Sequence, residues 1–236
     1  MTDFRPLYVR IQDQLVARVA SGEWAPGAMI PSEMALAQEI GASQGTVRKA
    51  IDQLCSDGVV TRVQGRGTFV AEQTPERANF RFFRMQDAEG AQIVPDLLRQ
   101  IAACHPASKE QAASLEINPG DPVHVIDRVR TVEGEKAILE TIAVPDRLMP
   151  GLSDMAKLPN ALYPHYQSTF GITVLTTNEA ISAVSATARQ ARMLSVPHST
   201  ALLRIERNAR DLTGQIVEFR ISHFLTRAIS YAVTLR

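Results

Sequence analysis

The stretch from Pro31 to Val70 constrains the fold of this chain more than any other. Its apolar residues recur at helical spacing in two short runs, which Gly41-Ala42 separates, and a serine stands before each run. Serine is a preferred N-cap, because its hydroxyl accepts a hydrogen bond from the first turn of a helix. Ser32 and Ser43 therefore predict two helices. The apolar stripe of the second helix consists of Val47, Ala50, Ile51 and Leu54.

A tight hairpin is predicted directly after the second helix. The short strands 59–63 and 68–70 flank the turn Gln64-Gly65-Arg66-Gly67, where two glycines permit a close approach to a phosphate backbone or a minor groove. A helix pair of this kind presents the start of its second helix to base edges in the major groove. The combination predicts a DNA-binding domain. The alternative is a small helical subdomain whose hairpin packs on another part of the chain.

The residues PSE, AQEIGASQGTVRKAIDQL and GVVTRVQGRGTFV follow one another in the order of a known pattern. They resemble the winged helix-turn-helix of the GntR family of bacterial transcription regulators, over about the first 70 residues. The resemblance implies double-stranded operator DNA as a partner. Met34 and Gln44 stand where family members often have arginine, so two phosphate or guanine contacts are expected to be absent. The implied DNA contacts are Ser32, Ser43, Gln44, Gly45, Thr46, Arg48, Gln64, Gly65, Arg66 and Gly67, and Lys49 is a further candidate beside Arg48.

Charge alone does not indicate a nucleic-acid binder. The 25 basic and 25 acidic residues of the 236-residue chain cancel, whereas DNA-binding domains are commonly basic. Counterion release depends on the cations that touch phosphate rather than on the total. Arg48, Lys49, Arg62 and Arg66 gather in the second helix and the hairpin, so we expect modest non-specific affinity, and we expect dimerisation to double the number of contacts.

The remaining composition describes an ordinary soluble protein of two domains, with 45% hydrophobic and 21% charged residues. No apolar run reaches the length of a membrane span and no signal peptide is recognisable, so we expect a cytoplasmic protein without a membrane partner. Cys55 and Cys104 fit no metal-ligand spacing, and they are predicted to be reduced thiols. The sequence therefore predicts no metal site and no cofactor. A redox role for a cysteine is the minor alternative.

Three segments organise the chain: a DNA-binding domain over residues 1–70, a linker over 71–79, and a second domain over 80–236. Residues 71–79 are polar, contain a proline and lack periodicity. A first helix is predicted at residues 6–21. The second domain alternates hairpins with helices, which predicts an α+β fold with a largely antiparallel sheet. Its predicted strands are 122–132, 137–144, 201–210, 216–225 and 230–235, and its predicted helices are 160–170 and 185–194.

Strand alternation places charged side chains on one face of that sheet. Arg128 and Arg130 share a face of one strand, Glu140 lies on the next, and Glu218 shares a face with Arg220 on a later strand. Val217 is predicted on the opposite face. One interpretation is a solvated sheet face, which is frequent in antiparallel sheets. The other is a pocket whose arginines and carboxylates converge on a polar small molecule.

The second domain also resembles a known family module. The segments FRFFRM, DRVRTVEGEKAILETIAVP, PNALYPHYQSTFGI and ALLRIERNARDLTGQIVEFRIS are similar to the effector-binding (UTRA) domain of HutC-type GntR regulators. The resemblance implies a chorismate lyase-like fold, a homodimer and repression controlled by a small metabolite. The implied effector contacts are Arg128, Arg130, Glu140, Glu218 and Phe224, and Phe82 is a further candidate.

Departures from the family pattern bear on the effector. Phe224 replaces a tyrosine, Phe82-Phe83 and Asn160 replace small hydroxyl residues, and Thr141 replaces an arginine. Each change removes a hydrogen-bond partner for a phosphorylated sugar. A carboxylate held by Arg128 or Arg130, with an apolar body against Phe82 and Phe224, fits better.

Two other functions stay open from sequence. A lyase-like enzyme with a DNA-binding appendage needs a catalytic constellation, but the five histidines are scattered and occur in no HExxH, GxSxG or CxxC context. No catalytic residue is therefore predicted. A DNA-binding protein without any ligand is the second alternative, and stabilisation by a metabolite would exclude it.

Overall fold

The computed structural model describes residues 4–155, 157–227 and 229–234. Its helices are α1 (Leu7–Ala20), α2 (Glu33–Ile40), α3 (Gln44–Asp57), α4 (Pro75–Phe82), α5 (Lys109–Leu115), α6 (Leu162–Phe170) and α7 (Ala188–Leu194), with a 3₁₀ turn at Leu152–Asp154. Its strands are β1 (Val60–Val63), β2 (Gly67–Val70), β3 (Met85–Gln86), β4 (Asp96–Pro106), β5 (Pro122–Val132), β6 (Glu135–Pro145), β7 (Val174–Ser185), β8 (Ala201–Asp211), β9 (Ile216–Phe224) and β10 (Ser230–Tyr231). Among the described residues, every helix is too short or too polar to cross a bilayer.

The first unit consists of α1, α2, α3 and the hairpin β1–β2. Both predicted caps are confirmed: Ser32 Oγ accepts a hydrogen bond from Ala35 N, and Ser43 Oγ accepts one from Thr46 N, each at 3.2 Å. The predicted stripe of α3 is buried against α1 and the hairpin. Trp24 packs in the same core. These contacts fix the orientation of α3 relative to the hairpin.

Part of the predicted linker is helical, which corrects the sequence interpretation of residues 71–79 as irregular. Helix α4 begins at Pro75, and Thr74 Oγ1 accepts a hydrogen bond from Arg77 N at 3.3 Å. Threonine before a proline in the first helical turn is a helix-start signal that the polar composition concealed. The limits of the two domains stay a prediction.

The second unit is built on a six-stranded antiparallel sheet with the strand order β4-β5-β6-β9-β8-β7. The predicted antiparallel sheet is confirmed, but both edge strands, β4 and β7, were missed. β4 has no buried residue and β7 has only Val174, so neither strand presents the buried face that produces a clean alternation of apolar and polar residues. Ser185 ends β7, and the helix predicted from that residue begins only at Ala188, after the cap Thr187. The last predicted strand is formed at Ser230–Tyr231, and its end at Leu235 lies outside the described residues.

A bulge changes one predicted face at the start of β9. The β8–β9 register shifts where Ala209 pairs with Glu218 and Arg210 pairs with Ile216, which leaves Val217 as the extra residue. Val217 packs with Ile126 and not on the opposite face, so its predicted orientation is wrong. Strict alternation does not hold across a bulge.

Candidate DNA and effector sites

A groove of about 770 Å³ separates the start of α3 from the hairpin. Ser32, Gln44 and the turn Gln64–Gly67 line this groove. The predicted contacts Ser43, Gly45 and Thr46 lie beside Gln44 in the first turn of α3, where the Ser43 and Thr46 hydroxyls are 2.8 Å apart. Exposed amide and hydroxyl groups at a helix start suit hydrogen bonds to base edges and phosphates.

The hairpin turn has the backbone conformation that its two glycines favour. Gly65 has φ +71° and Gly67 has φ +126°, and a Cβ atom on Gly67 would lie 3.1 Å from the Met29 sulfur. Arg66 is exposed between them, and its guanidinium lies 5.7 Å from the Phe69 ring centroid. The turn therefore presents a cation on a backbone that few other residues would adopt.

Two of the basic residues near the groove are already paired. Arg48 Nε donates to Glu33 Oε2 and Arg62 Nη2 to Glu33 Oε1, each at 2.7 Å. The Arg48 side chain is 57% exposed, so this pair is weak and the guanidinium can exchange Glu33 for a phosphate. The Lys49 ammonium lies over the Tyr8 ring, 3.9 Å from its centroid, on the α1 side of α3 and away from the groove lining.

The charged sheet face is buried. Arg128, Arg130, Glu140 and Glu218 are between 0% and 5% exposed, so the interpretation as a solvated face is wrong. Helix α6 and the segment before it cover this face, because α6 contributes a large apolar surface that includes Tyr163 and Tyr166. Buried charges need partners, and the partners define the site.

Arg128 and Arg130 hold the chain segment that leads into α6. Arg128 donates to the carbonyls of Pro159 at 2.7 Å and Asn160 at 3.0 Å. Arg130 donates to the Pro95 carbonyl and to Asn160 Oδ1, each at 3.0 Å. Burial lowers the pKa of Arg128 to about 10, and the guanidinium still carries its charge at neutral pH.

Two glutamates balance the arginines. Glu140 Oε1 lies 3.3 Å from Arg220 Nη1 and 3.5 Å from Arg130 Nη1. Burial opposes the ionisation of Glu140, but Arg130 and Arg220 outweigh it and lower the pKa to about 2. Glu218 accepts hydrogen bonds from Tyr163 at 3.0 Å, from Tyr166 at 2.9 Å, and from Nε and Nη2 of Arg220, each at 2.9 Å.

A cavity of only about 40 Å³ lies over this cluster. Of the six predicted effector residues, Phe82 and Arg130 line the cavity. The other four are outside the lining. Arg128 donates to backbone carbonyls, Glu140 and Glu218 pair with Arg220, and the Phe224 ring centroid lies 6.3 Å from that of Phe83. The other lining residues with polar or aromatic side chains are Asn79, Phe83, Asn160, Tyr163, Arg207 and Arg220.

Arg207 and Tyr163 were missed by the sequence analysis. Arg207 is paired with Glu179 across β7 and β8 and donates to the Phe82 carbonyl. Because β7 was not predicted, the sequence did not indicate that Glu179 lies beside Arg207. Tyr163 stacks edge-on against Phe82, with 5.1 Å between ring centroids. An aromatic in the first turn of a predicted helix gives no signal of such a contact.

The buried cluster carries an excess of positive charge. The cluster comprises four arginines and three glutamates, whose side chains are each at most 12% exposed: Arg128, Arg130, Arg207, Arg220, Glu140, Glu179 and Glu218. Among the described residues, the Nε atoms of Arg128 and Arg130 find no hydrogen-bond partner. One further negative charge would balance the cluster.

A larger cavity of about 510 Å³ adjoins the small one. Asn79, Arg130, Asn160 and Ala161 line both, so these four residues form the wall between them. Ala161 is the N-cap of α6 and supplies no side-chain cap, which leaves the start of that helix to an anion or another acceptor.

Helix α4 contacts both units. Arg81 Nη2 donates to the Asp57 carbonyl at the end of α3 at 2.8 Å and to the Leu175 carbonyl in β7 at 2.7 Å. A Cβ atom on Gly58 would lie 2.5 Å from Arg81 Nη1, so the guanidinium sits directly on the end of α3. The next residue, Phe82, lines the small cavity, which places one helix end between the two candidate sites.

Comparison with known proteins agrees with both halves of this arrangement. Residues 7–70 match the model of bacterial regulatory proteins of the gntR family, and residues 101–230 match the UTRA domain. The chain belongs to the GntR family and carries a UTRA domain. It is a ligand-responsive transcription regulator, with a helix-turn-helix unit for DNA and a UTRA unit for a small-molecule effector.

Individual relatives span nearly the whole of this GntR–UTRA chain. The transcriptional repressor NagR of Bacillus subtilis is 27% identical over 215 residues, which are 90% of this chain and 88% of the relative. The histidine utilization repressor of Pseudomonas putida is 27% identical over 220 residues, 92% of this chain and 88% of the relative. The crystal structure of PhnF from Mycobacterium smegmatis has a TM-score of 0.56 and 25% identity, and covers 96% of this chain and 99% of that one. The family is one of transcription regulators and not of enzymes.

Proposed function

We propose that this regulator binds a palindromic operator as a homodimer, and that a small anion in the UTRA unit releases it. The observation that carries the effector class is the excess positive charge of the buried arginine cluster. An operator-binding protein works beside the chromosome, so we also propose a cytoplasmic location.

The proposed DNA contacts follow the groove between α3 and the hairpin. Gln44 and Thr46 would read base edges, while Ser32, Ser43, Gly45, Arg48 and the turn Gln64–Gly67 would hold phosphates or the adjacent minor groove. Lys49, which lies on the α1 side, would contribute only through long-range attraction.

A homodimer is supported by exposed apolar side chains on the edge strands of the sheet. Leu98 and Ile101 on β4 are each 55% exposed, and Ile181 on β7 is 46% exposed. β4 and β7 are opposite edges of the sheet, and exposed large apolar side chains on an edge strand, such as the two on β4, are typical of an interface. A twofold dimer would place two α3 helices on half-sites about one helical turn apart.

The proposed effector is a carboxylate or a similar small anion. Arg130, Arg207 and Arg220 converge on the small cavity, and the uncapped start of α6 adds a favourable dipole. Phe82 and Phe83 offer an apolar wall for the rest of the molecule. Polyhydroxylated sugar phosphates would find fewer partners there, because the described residues that line this cavity include no serine or threonine.

Effector entry requires movement, because a cavity of about 40 Å³ holds roughly one water molecule. The wall at Asn160-Ala161 or the aromatic residues at the end of α4 must shift to join the small cavity to the larger one. A shift of Phe82 carries Arg81 with it and breaks its hydrogen bond to the end of α3. The α3 helices of a dimer would then lose their spacing, and a coupling of about 1–3 kcal/mol is the usual size of such an effect.

The test is fluorescence anisotropy of the full chain on its own upstream promoter DNA, with and without a panel of carboxylates and sugar phosphates. We expect a carboxylate to weaken operator binding and to raise the melting temperature. Arg130→Gln should bind the operator normally but lose this response, whereas Arg204→Gln on the same sheet should keep it. Release by sugar phosphates alone would overturn the effector class, and equal binding to scrambled DNA would overturn operator recognition.

A further inference from the structure

Three potential metal ligands meet at the end of the sheet opposite the arginine cluster. The sulfur of Cys104, a ring nitrogen of His124 and a carboxylate oxygen of Asp146 all lie within 4.8 Å of one another. The strands bring them together: Cys104 on β4 pairs with His124 on β5, and Asp146 follows β6, whose Val144 also pairs with His124. The sequence predicted no metal site because these residues are about twenty positions apart, and adjacency arises only from strand register.

The His124 ring is oriented as a ligand. It is 1% exposed, and Ser153 occupies Nδ1, with Oγ at 2.9 Å and the backbone N at 3.3 Å. Nε2 lies 2.8 Å from Asp146 Oδ1, but within the part of the chain that the structure describes it makes no hydrogen bond of acceptable geometry. Metal-bound histidines commonly donate the N–H of their other ring nitrogen to an outer partner. Zinc at Nε2 therefore requires the tautomer that carries the proton on Nδ1, which donates to Ser153 Oγ instead of accepting from the Ser153 backbone N.

The cluster does not resemble a nucleophilic triad. In a triad, one histidine nitrogen faces the nucleophile and the other faces the carboxylate. Here Asp146 is at Nε2 and Ser153 is at Nδ1, so each ring nitrogen already has a close neighbour other than the thiol. Convergence of sulfur, nitrogen and oxygen on one point is the arrangement of a metal site.

We propose that Cys104, His124 and Asp146 bind a zinc ion, with solvent as the fourth ligand. A thiolate, an imidazole and a carboxylate form a donor set that zinc accepts in tetrahedral sites with one open position. Zinc bonds of roughly 2.0–2.3 Å place neighbouring ligand atoms roughly 3.3–3.8 Å apart, so the ligands need only small rotations. Cys104 is exposed and the Asp146 side chain is 37% exposed, which leaves access for both ion and water.

Bound zinc would fasten one end of the segment that covers the effector site. The segment from Asp146 to Asn160 passes through Ser153 and ends on Arg128 and Arg130. The ion would tie the first residue of this segment to the edge strand β4 and to β5. The last residues of the segment are held by the two arginines. Zinc is therefore expected to raise the melting temperature of the chain.

The experiment is titration of the reduced, tag-free full chain with Co²⁺ and then Zn²⁺, after removal of metal by EDTA. We expect one equivalent per chain and a near-ultraviolet thiolate-to-cobalt absorption band. Cys104→Ser should abolish the band, and Asp146→Asn should weaken zinc binding at least about tenfold, the loss that even outer-partner substitutions cause. Cys55→Ser is the matched control and should change neither, because Cys55 lies in the first unit.

Two results would overturn the site: absence of stoichiometric binding at micromolar zinc, or unchanged binding and spectrum in Cys104→Ser. Circular dichroism of each variant confirms that it is folded. Operator binding is measured separately, on the zinc-free chain. A failure of the zinc proposal can therefore be told apart from a failure of the proposed function.

Discussion

Arginine–glutamate pairs occur in both units of the molecule, but they differ in burial. Beside the DNA groove, the paired side chains of Arg48 and Glu33 are 57% and 19% exposed. In the UTRA sheet, the side chains of Glu140 and Arg220 are 2% and 11% exposed. Exposed pairs are weak and exchange partners readily, which suits a surface that must accept phosphates. Buried pairs are costly to break, which suits a site that must respond to the binding of a single anion.

The largest expected effect is on the buried cluster. Glu140→Gln should lower the free energy of unfolding by about 3–5 kcal/mol, because Arg130 and Arg220 lose their shared carboxylate in a buried site. Glu116→Gln, which removes a carboxylate 63% exposed and paired with Arg210, should cost less than about 1 kcal/mol. Urea denaturation at pH 7 measures both, and equal losses would contradict the difference in burial.

The same carboxylate predicts a pH dependence. The pKa of Glu140 in the folded protein, about 2, lies below its ordinary 4.5, so the ionised group stabilises the fold above pH 4.5. This contribution is lost as pH falls through the folded-state value. The stability gap between wild type and Glu140→Gln should therefore narrow progressively below pH 4.5. Denaturation curves between pH 7 and pH 3 test this, and a constant gap would contradict it.

Helix α4 connects the two regions, and Arg81 is its contact with α3. Arg81→Gln should remove most of an effector response of about 1–3 kcal/mol in operator affinity, because the hydrogen bond to the Asp57 carbonyl is lost. Arg77→Gln is the control on the same helix, where the guanidinium reaches only the Glu72 carbonyl. Anisotropy titrations with and without effector compare them. A full response in Arg81→Gln would exclude this route.

The effect of a side chain on operator affinity should depend on whether it lines the DNA groove. Gln44→Ala should weaken operator binding by about 1–3 kcal/mol, the value of a good base contact. Lys49→Ala should have a much smaller effect, because its ammonium lies over Tyr8. Operator titrations at fixed salt measure the difference. The reverse order of effects would place the DNA on the α1 side of α3.

The smallest expected effect is on a helix cap. Ser43→Ala should destabilise the first unit by about 1 kcal/mol, because Thr46 N loses its acceptor. Ser56→Ala near the other end of α3 should change stability by only a few tenths, since its hydroxyl bonds only to the preceding turn. Thermal denaturation separates the two, and equal shifts would contradict the capping role.

The difference between the two regions also explains what the sequence could predict. Caps at Ser32 and Ser43 and the glycine turn are local signals, so the first unit was predicted almost element by element. The charged sheet face was predicted from alternation, but its burial depends on α6 and on strand pairing across the whole second unit. Arg207 needed the missed strand β7, and the Val217 orientation needed a bulge. Contacts of that range leave no local pattern.

The most direct test of the account is the affinity of the full chain for its own upstream promoter compared with a scrambled duplex of equal length. Fluorescence anisotropy at low and physiological salt measures both. The account predicts preference for the promoter by roughly 10³-fold or more at physiological salt. Equal affinities for the two duplexes, even at low ionic strength, would contradict it.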